Sequence, residues 1–453
     1  MNLGPASHDR ERTVTVRAGH ATGERVRLSV YDLLPGTFAT QRTFYYRDTL
    51  DTDALHASLR ATLAHYPLLT GRLERDADGG LSVVCNDAGA LLTVCRSDRP
   101  MPPYGPGHPV RGDLRRYVHQ VNPFRVVGHD TPLFTAKVTH MRGGGSVLGV
   151  SVNHVVADGT ACVEFLLHWS RVHRGLDHRP APYARTPFDG LVAEAPSPAR
   201  HDDPQYAVVT RRRKFGFLWR VNTGAPRLRT LTTRFTAQEV RSLKEVAAAQ
   251  LAGGGPRIST GDALAAQVWR VLGALRGRPD DSTERLGVVI SLRAALREHL
   301  PDGYWGNAAS NTTARLSARA LREGPLGETA AAVRAAVNRV TAAHVRDEMA
   351  FLEAQRRAGR LRRVLSRMSL DAFEDTVSLN NVARLPVYSV EFGTGRPFWF
   401  EYPAIPIPWT VLVTPTPDDE HGRDVHLSLP RDAAAALESP EWAKRLHDTG
   451  QTA

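Results

Sequence analysis

The stretch Gly149-Val150-Ser151-Val152-Asn153-His154-Val155-Val156-Ala157-Asp158-Gly159 constrains this chain more than any other. An apolar run ends on a histidine, and three small apolar residues, an aspartate and a glycine follow. A helical pattern then runs from Thr160 to Arg174. Upstream, Leu133 to Met141 and Ser146 to Val152 are strand-like runs either side of three glycines, which reads as a hairpin. His154 therefore closes a strand and stands just ahead of a helix. Rigid structure on both sides is how a catalytic base has to be held.

Composition narrows the setting. A chain of 453 residues is long for one core and suggests two or three domains. With 42% hydrophobic and 23% charged residues it reads as globular. Three cysteines, an odd number without a C-x-x-C pair, argue for a reducing compartment and against a disulfide framework or a zinc site. The first thirteen residues are polar and no apolar run reaches the roughly 18 residues of a membrane span, so a cytoplasmic protein is expected. The net charge is +11, but the basic residues are spread along the chain and only four are lysine. The arginine excess suggests a GC-rich bacterial source. Diffuse positive charge favours anionic small ligands by steering rather than a nucleic-acid site.

Further elements follow from periodicity. Val26 to Tyr31 and Ala39 to Arg47 read as strands, and Asp51 caps a helix whose Leu55, Leu59 and Leu63 share a face. His65 reads as a cation at that helix's C-terminus. Residues 177 to 204 are rich in Pro, Ala, Asp and His and form the best linker candidate. Arg211-Arg212-Arg213-Lys214 is either a solvated face or a phosphate contact. Thr236 with Glu239, and Ser259 with Asp262, are capping patterns ahead of helices. Residues 327 to about 367 read as helical with an arginine-rich, solvated end. Thr376 to Phe392, Trp409 to Thr414 and Val425 to Leu429 are the last strands.

Three chemistries fit His154. It could join Asp158 as a metal ligand, but the strand period runs up to His154 and no third ligand lies nearby. It could activate a nucleophile, but Ser151 points to the opposite strand face, Cys162 lies on an apolar helix face, and no G-x-S-x-G elbow exists. It could act alone as a general base, for which a pKa near ~6.5 suits deprotonation of an alcohol or amine.

The motifs then converge. His154-Val-Val-Ala-Asp158-Gly159 resembles the H-x-x-x-D-G signature of coenzyme A-dependent acyltransferases. Glu391-Phe392-Gly393-Thr394-Gly395 resembles the D-F-G-W-G motif of the BAHD acyltransferases, and Arg384-Leu385-Pro386 precedes it as in that family. Tyr66-Pro67-Leu68 with Gly71-Arg72-Leu73, Gly303-Tyr304-Trp305-Gly306-Asn307, and Ile258 through Trp269-Arg270 match further family stretches in order. The resemblance implies an α/β (α+β) fold of two chloramphenicol acetyltransferase-like domains, each a mixed sheet with flanking helices, with a channel between them. The expected boundaries are 1–190 for the first domain, completed by a crossing segment at about 370–392, then a linker at 191–228 and a second domain at 229–453.

The implied activity is transfer of an acyl group from acyl-CoA, as co-substrate, to a hydroxyl or amine of a small specialised metabolite. His154 is the base, Asp158 pairs structurally with Arg293, and Gly159 is the turn that lets the helix start. Glu391, Phe392, Gly393 and Gly395 form the structural motif. Two family tryptophans are replaced by Thr394 and Val382, so Asn380, Asn381 or Asn307 become the oxyanion-donor candidates. Arg211, Arg212, Arg213, Lys214, Ser259 and Thr260 are the candidate coenzyme A contacts. No metal and no resident cofactor are expected, and the protein is expected to be a monomer. A carrier-protein thioester is the alternative donor. Asn153 disfavours it, because carrier-dependent condensation enzymes usually have a histidine there. A silent binding protein is disfavoured by the intact His154 and Gly159.

Overall fold

The computed structural model describes residues 10–103, 116–193, 205–251, 254–403 and 405–450. Two six-stranded mixed sheets dominate it. The first runs in the order Arg10–Val16, Ala90–Pro100, Phe134–Arg142, Ser146–Asn153, Ala39–Tyr46, Trp399–Glu401. The second runs Leu228–Phe235, Arg423–Pro430, Thr410–Pro415, Thr376–Asn381, Thr283–Ser291, Ala309–Ser317. Each contains antiparallel and parallel neighbours. The hairpin that leads to His154 is present: Phe134–Arg142 pairs antiparallel with Ser146–Asn153.

Local chemistry accounts for the helices. Asp158, extended at the N-cap, accepts from the Ala161 N–H at 2.9 Å and starts the helix Gly159–His173. Gly159 is its first residue and does not adopt a left-handed conformation. The expectation that Gly159 supplies the turn is therefore corrected: the carboxylate cap ends the loop. Thr236 and Ser259 both form capping boxes. Residues 327 to 367 are not one helix. Leu326–Asn338 and Ala342–Arg357 are separate, because Thr341 caps the second through the His344 N–H.

Three cores result. The first lies between the first sheet and the helices Thr52–Leu63 and Gly159–His173, and the second between the second sheet and the helices Ala237–Ala249, Thr260–Arg276 and Leu326–Asn338. The third joins residues of both halves, among them Tyr31, Phe188, Leu296, Tyr304 and Met349. The crossing segment falls later than 370–392. Thr376–Asn381 belongs to the second sheet, and the strand that completes the first is Trp399–Glu401, paired with Ala39–Tyr46. Between them Val387, Val390 and Phe392 bury into the first core. The expected linker carries structure of its own, with the helices Thr186–Ala193 and Arg211–Gly224. His65 is not a C-terminal cation. It stacks on His168 at 5.6 Å, and burial beside His178 lowers its pKa.

Candidate active site

His154 follows the strand Ser146–Asn153, whose side chains are buried throughout. Its Nδ1 lies 3.1 Å from Asn307 Oδ1. The Asn307 amide can be oriented in only one way, since its Nδ2 donates to His154 O at 2.7 Å and to Asp32 Oδ1 at 2.9 Å. Oδ1 must then accept, so His154 Nδ1 carries the hydrogen and Nε2 keeps its lone pair. Burial lowers the His154 pKa, with its own backbone carbonyl and Asp158 acting the other way. The ring is neutral at neutral pH, with a basic nitrogen that has no protein partner among the described residues.

Asn307 is held in turn. Trp305 inserts into the first core and donates from Nε1 to Ala161 O at 2.8 Å, which brings its loop against the start of the Gly159–His173 helix. Arg185 spans the gap. It donates to Asp32 Oδ2 at 3.0 Å, to Trp305 O at 2.7 Å and to Val156 O at 2.8 Å. A Cβ on Gly306 would lie 2.6 Å from its guanidinium carbon, so only glycine admits this packing. Both donors of Asn307 are thus engaged with protein. Of the three oxyanion candidates it has no free donor, and it is the residue that orients His154.

Asp158 does not approach the ring as a relay. Arg293 grips it at 2.8 and 3.2 Å, and the N–H groups of Ala161 and Ala308 donate to it. Burial pushes this carboxyl up, but Arg293 and the two N–H groups outweigh it and hold the pKa below the usual range. Four directed donors anchor loop, helix and the residue after Asn307 together.

The remaining oxyanion candidates differ. Asn381 Oδ1 accepts from the Ala383 N–H at 3.1 Å. Asn380 sits half-buried on the polar face of the second sheet, and its amide bonds nothing among the described residues. Ser378, on the same face, donates to Met368 O at 3.1 Å. The chain continues from there to Leu370 and Phe373, which line a cavity of about 380 Å³ with Arg212, Arg213 and Arg220. Arg211 lies in the same exposed first turn. Lys214 is turned away and donates to Arg362 O. The Ser259 hydroxyl is consumed by its cap, donating to Asp262 and accepting from Arg334 at 2.8 Å, which leaves Thr260 to the backbone of that helix start.

The Glu391 motif lies outside the reacting centre. Glu391 pairs with Arg174 at 3.2 Å, and its backbone exchanges two hydrogen bonds with Ser170. Phe392 packs on Trp169 at 4.8 Å. Gly393 and Gly395 take φ of 80° and 91°, which turns the chain back toward the first sheet. Asp32 and Arg185 escaped sequence reading. Arg185 falls in the aperiodic stretch 177 to 204, and the one local signal for Asp32 is Ser29, three residues before it, with which it forms a capping box.

A two-sheet fold with a neutral, oriented histidine at a strand end fits the BAHD acyltransferases that the sequence resembles. Comparison places the chain directly: it belongs to the Transferase family, matched over residues 9–442. It is 26% identical over 427 residues to shikimate O-hydroxycinnamoyltransferase of Nicotiana tabacum, covering 93% of this chain and 95% of the relative. It is 30% identical over 445 residues to putrescine hydroxycinnamoyltransferase 1 of Oryza sativa subsp. japonica, covering 93% and 95%. Among solved structures, vinorine synthase superposes with a TM-score of 0.69 at 17% identity, over 98% of this chain and 100% of that one. TRI101 of F. sporotrichioides, in complex with coenzyme A and T-2, gives 0.70 at 17% identity, over 93% and 98%. The protein is thus an acyl-CoA-dependent acyltransferase acting on small acceptors. No helix among the described residues is long and apolar enough to cross a membrane.

Proposed function

We propose that His154 Nε2 removes the proton from an acceptor hydroxyl or amine as that atom attacks the thioester carbonyl of an acyl-CoA. The C–S bond of the tetrahedral intermediate then breaks, and the imidazolium returns its proton to the departing thiolate. No acyl-enzyme forms. The observation that carries this reading is the Asn307 clamp, which fixes the tautomer a base requires. Asn380 is the oxyanion donor, supported by its unengaged amide. Arg212 and Arg213 contact coenzyme A phosphates, supported by the cavity they line with Arg220, and Arg211 stands beside them in the same helical turn. Acceptors of both kinds are known among the relatives, shikimate in one name and putrescine in another.

A carrier-protein donor has no support from Asn153, whose amide is spent on Thr37 O at 2.9 Å and the Val155 N–H at 3.2 Å. The three cysteines are free and buried, which suits a reducing, cytoplasmic setting. A GC-rich bacterial source rests on the arginine excess alone, and the relatives named above that carry an organism are plant proteins or, for TRI101, one of F. sporotrichioides.

Thiol release from a panel of acyl-CoAs and alcohols or amines tests the reading. His154→Ala lowers kcat roughly 10²- to 10⁴-fold; undiminished release would refute the base assignment. Asn380→Ala lowers kcat roughly 10²- to 10³-fold at similar KM, and a variant with wild-type kcat removes Asn380 from the role.

A further inference from the structure

Arg42 lies in the strand Ala39–Tyr46, next to the strand Ser146–Asn153 that leads to His154, and is 2% exposed. A buried guanidinium ordinarily has a carboxylate. This one has none among the described residues. Nε donates to Tyr402 Oη at 3.3 Å, and Nη1 donates to Thr40 Oγ1 at 3.2 Å and to Cys162 Sγ at 2.9 Å. The Tyr402 ring lies 5.1 Å from the guanidinium carbon. Nη2 has no partner. It points at Gly159, where an added Cβ would lie 3.6 Å from it.

The surrounding charges do not balance. Asp32 is matched by Arg185 at 3.0 Å and Asp158 by Arg293 at 2.8 Å. Arg42 leaves one positive charge over. Glu164, an acid that burial pushes to about 7, forms no ion pair with Arg42 or any other residue among those described. The uncovered Nη2 also faces the first turn of the Gly159–His173 helix, whose N–H groups carry partial positive charge. Tyr402 extends the position outward, since it lines a cleft with Thr410, Leu412 and His426 on the polar face of the second sheet.

We infer that Arg42 and the Gly159 end of the helix form a receptor for a carboxylate on one of the two substrates, and so select for an anionic substrate. This rests on the acyl transfer proposed above. Two sources supply the chemistry: a donor whose acyl chain ends in a carboxylate, or an acceptor that carries one.

The experiment has a donor arm and an acceptor arm, both read by thiol release. The first compares succinyl-CoA with butyryl-CoA on one neutral acceptor. The second compares a hydroxy or amino acid with its methyl ester, using acetyl-CoA. The wild-type protein is expected to favour the carboxylate form in one arm by roughly 10- to 100-fold in kcat/KM. Arg42→Met abolishes that preference, and Arg42→Lys keeps part of it. The arm that responds names the source. Equal kcat/KM for both forms in both arms overturns the inference, as does a preference that survives in Arg42→Met. Should Arg42→Met not fold, Arg42→Lys decides: a lysine that leaves the preference unchanged refutes the receptor. Turnover without preference defeats only this inference, whereas no thiol release from any pair defeats the acyl-transfer reading with it.

Discussion

At the residue scale, His154 and Asp158 sit four apart but belong to different machinery. His154 is oriented by Asn307, and Asp158 is spent on Arg293 and two backbone N–H groups. The variants should therefore fail differently. Asn307→Ala frees the ring and loses the tautomer, so kcat falls roughly 10-fold or more with KM little changed. Asp158→Asn removes a buried carboxylate and leaves the partly buried Arg293 without its counter-charge, which costs about 2 to 4 kcal/mol of stability. Thermal melts beside steady-state kinetics separate the two. Equal loss of stability in both would show Asn307 to be a scaffold only. Burial depresses the His154 pKa, so the active, neutral form persists below pH 6.5 and the acid limb of kcat/KM lies under that value. An acid limb above 6.5 would contradict the burial argument.

At the element scale, the strand Ser146–Asn153 positions His154 and tolerates no bulk on one side. A Cβ on Gly149 would lie 1.7 Å from Tyr117 O, a backbone atom that cannot step aside. Gly149→Ala is expected to shift the strand or displace residues 116–118, costing more than about 3 kcal/mol. A melting temperature within two or three degrees of wild type would show that the neighbouring segment moves freely. This hairpin, its helix and both capping boxes were legible because their signals are local: alternation, a glycine turn, and an acceptor three residues before its partner. What stayed hidden depends on distant partners. Nothing near Arg185 marks it, because its carboxylate is 153 positions away in sequence. The crossing expected at about 370–392 comes from the family resemblance, and only strand pairing assigns Thr376–Asn381 to the second sheet. Asn307 was read as a donor because its loop motif tells its neighbourhood but not which way its amide faces.

At the scale of the whole molecule, the third core joins the halves around a buried acid. Glu348, on the helix Ala342–Arg357, accepts from Tyr31 of the first half at 2.7 Å and from Ser310 of the second sheet at 2.6 Å. Burial outweighs these bonds and pushes its carboxyl to about 7, above the 4.5 of an exposed glutamate. The folded state therefore binds its proton first. The stability this group contributes is complete below about 4.5 and is lost as pH rises through 7. His426, buried between Thr232 and Thr414 on the polar face of the second sheet, tilts the other way. Burial lowers it to about 4, so its contribution is complete above 6.5 and is lost as pH falls through 4. Each shift corresponds to roughly 3 kcal/mol at most. Between about 4.5 and 6.5 the two slopes cancel, and each is visible only against its own neutral variant. Relative to wild type, Glu348→Gln should gain stability from pH 4 to pH 8. His426→Gln should lose ground over the same interval, having been least costly at pH 4. Urea unfolding at pH 4, 6 and 8 measures both. Parallel curves for Glu348→Gln and wild type would mean that Glu348 titrates as an exposed acid, and that water reaches the seam between the two halves.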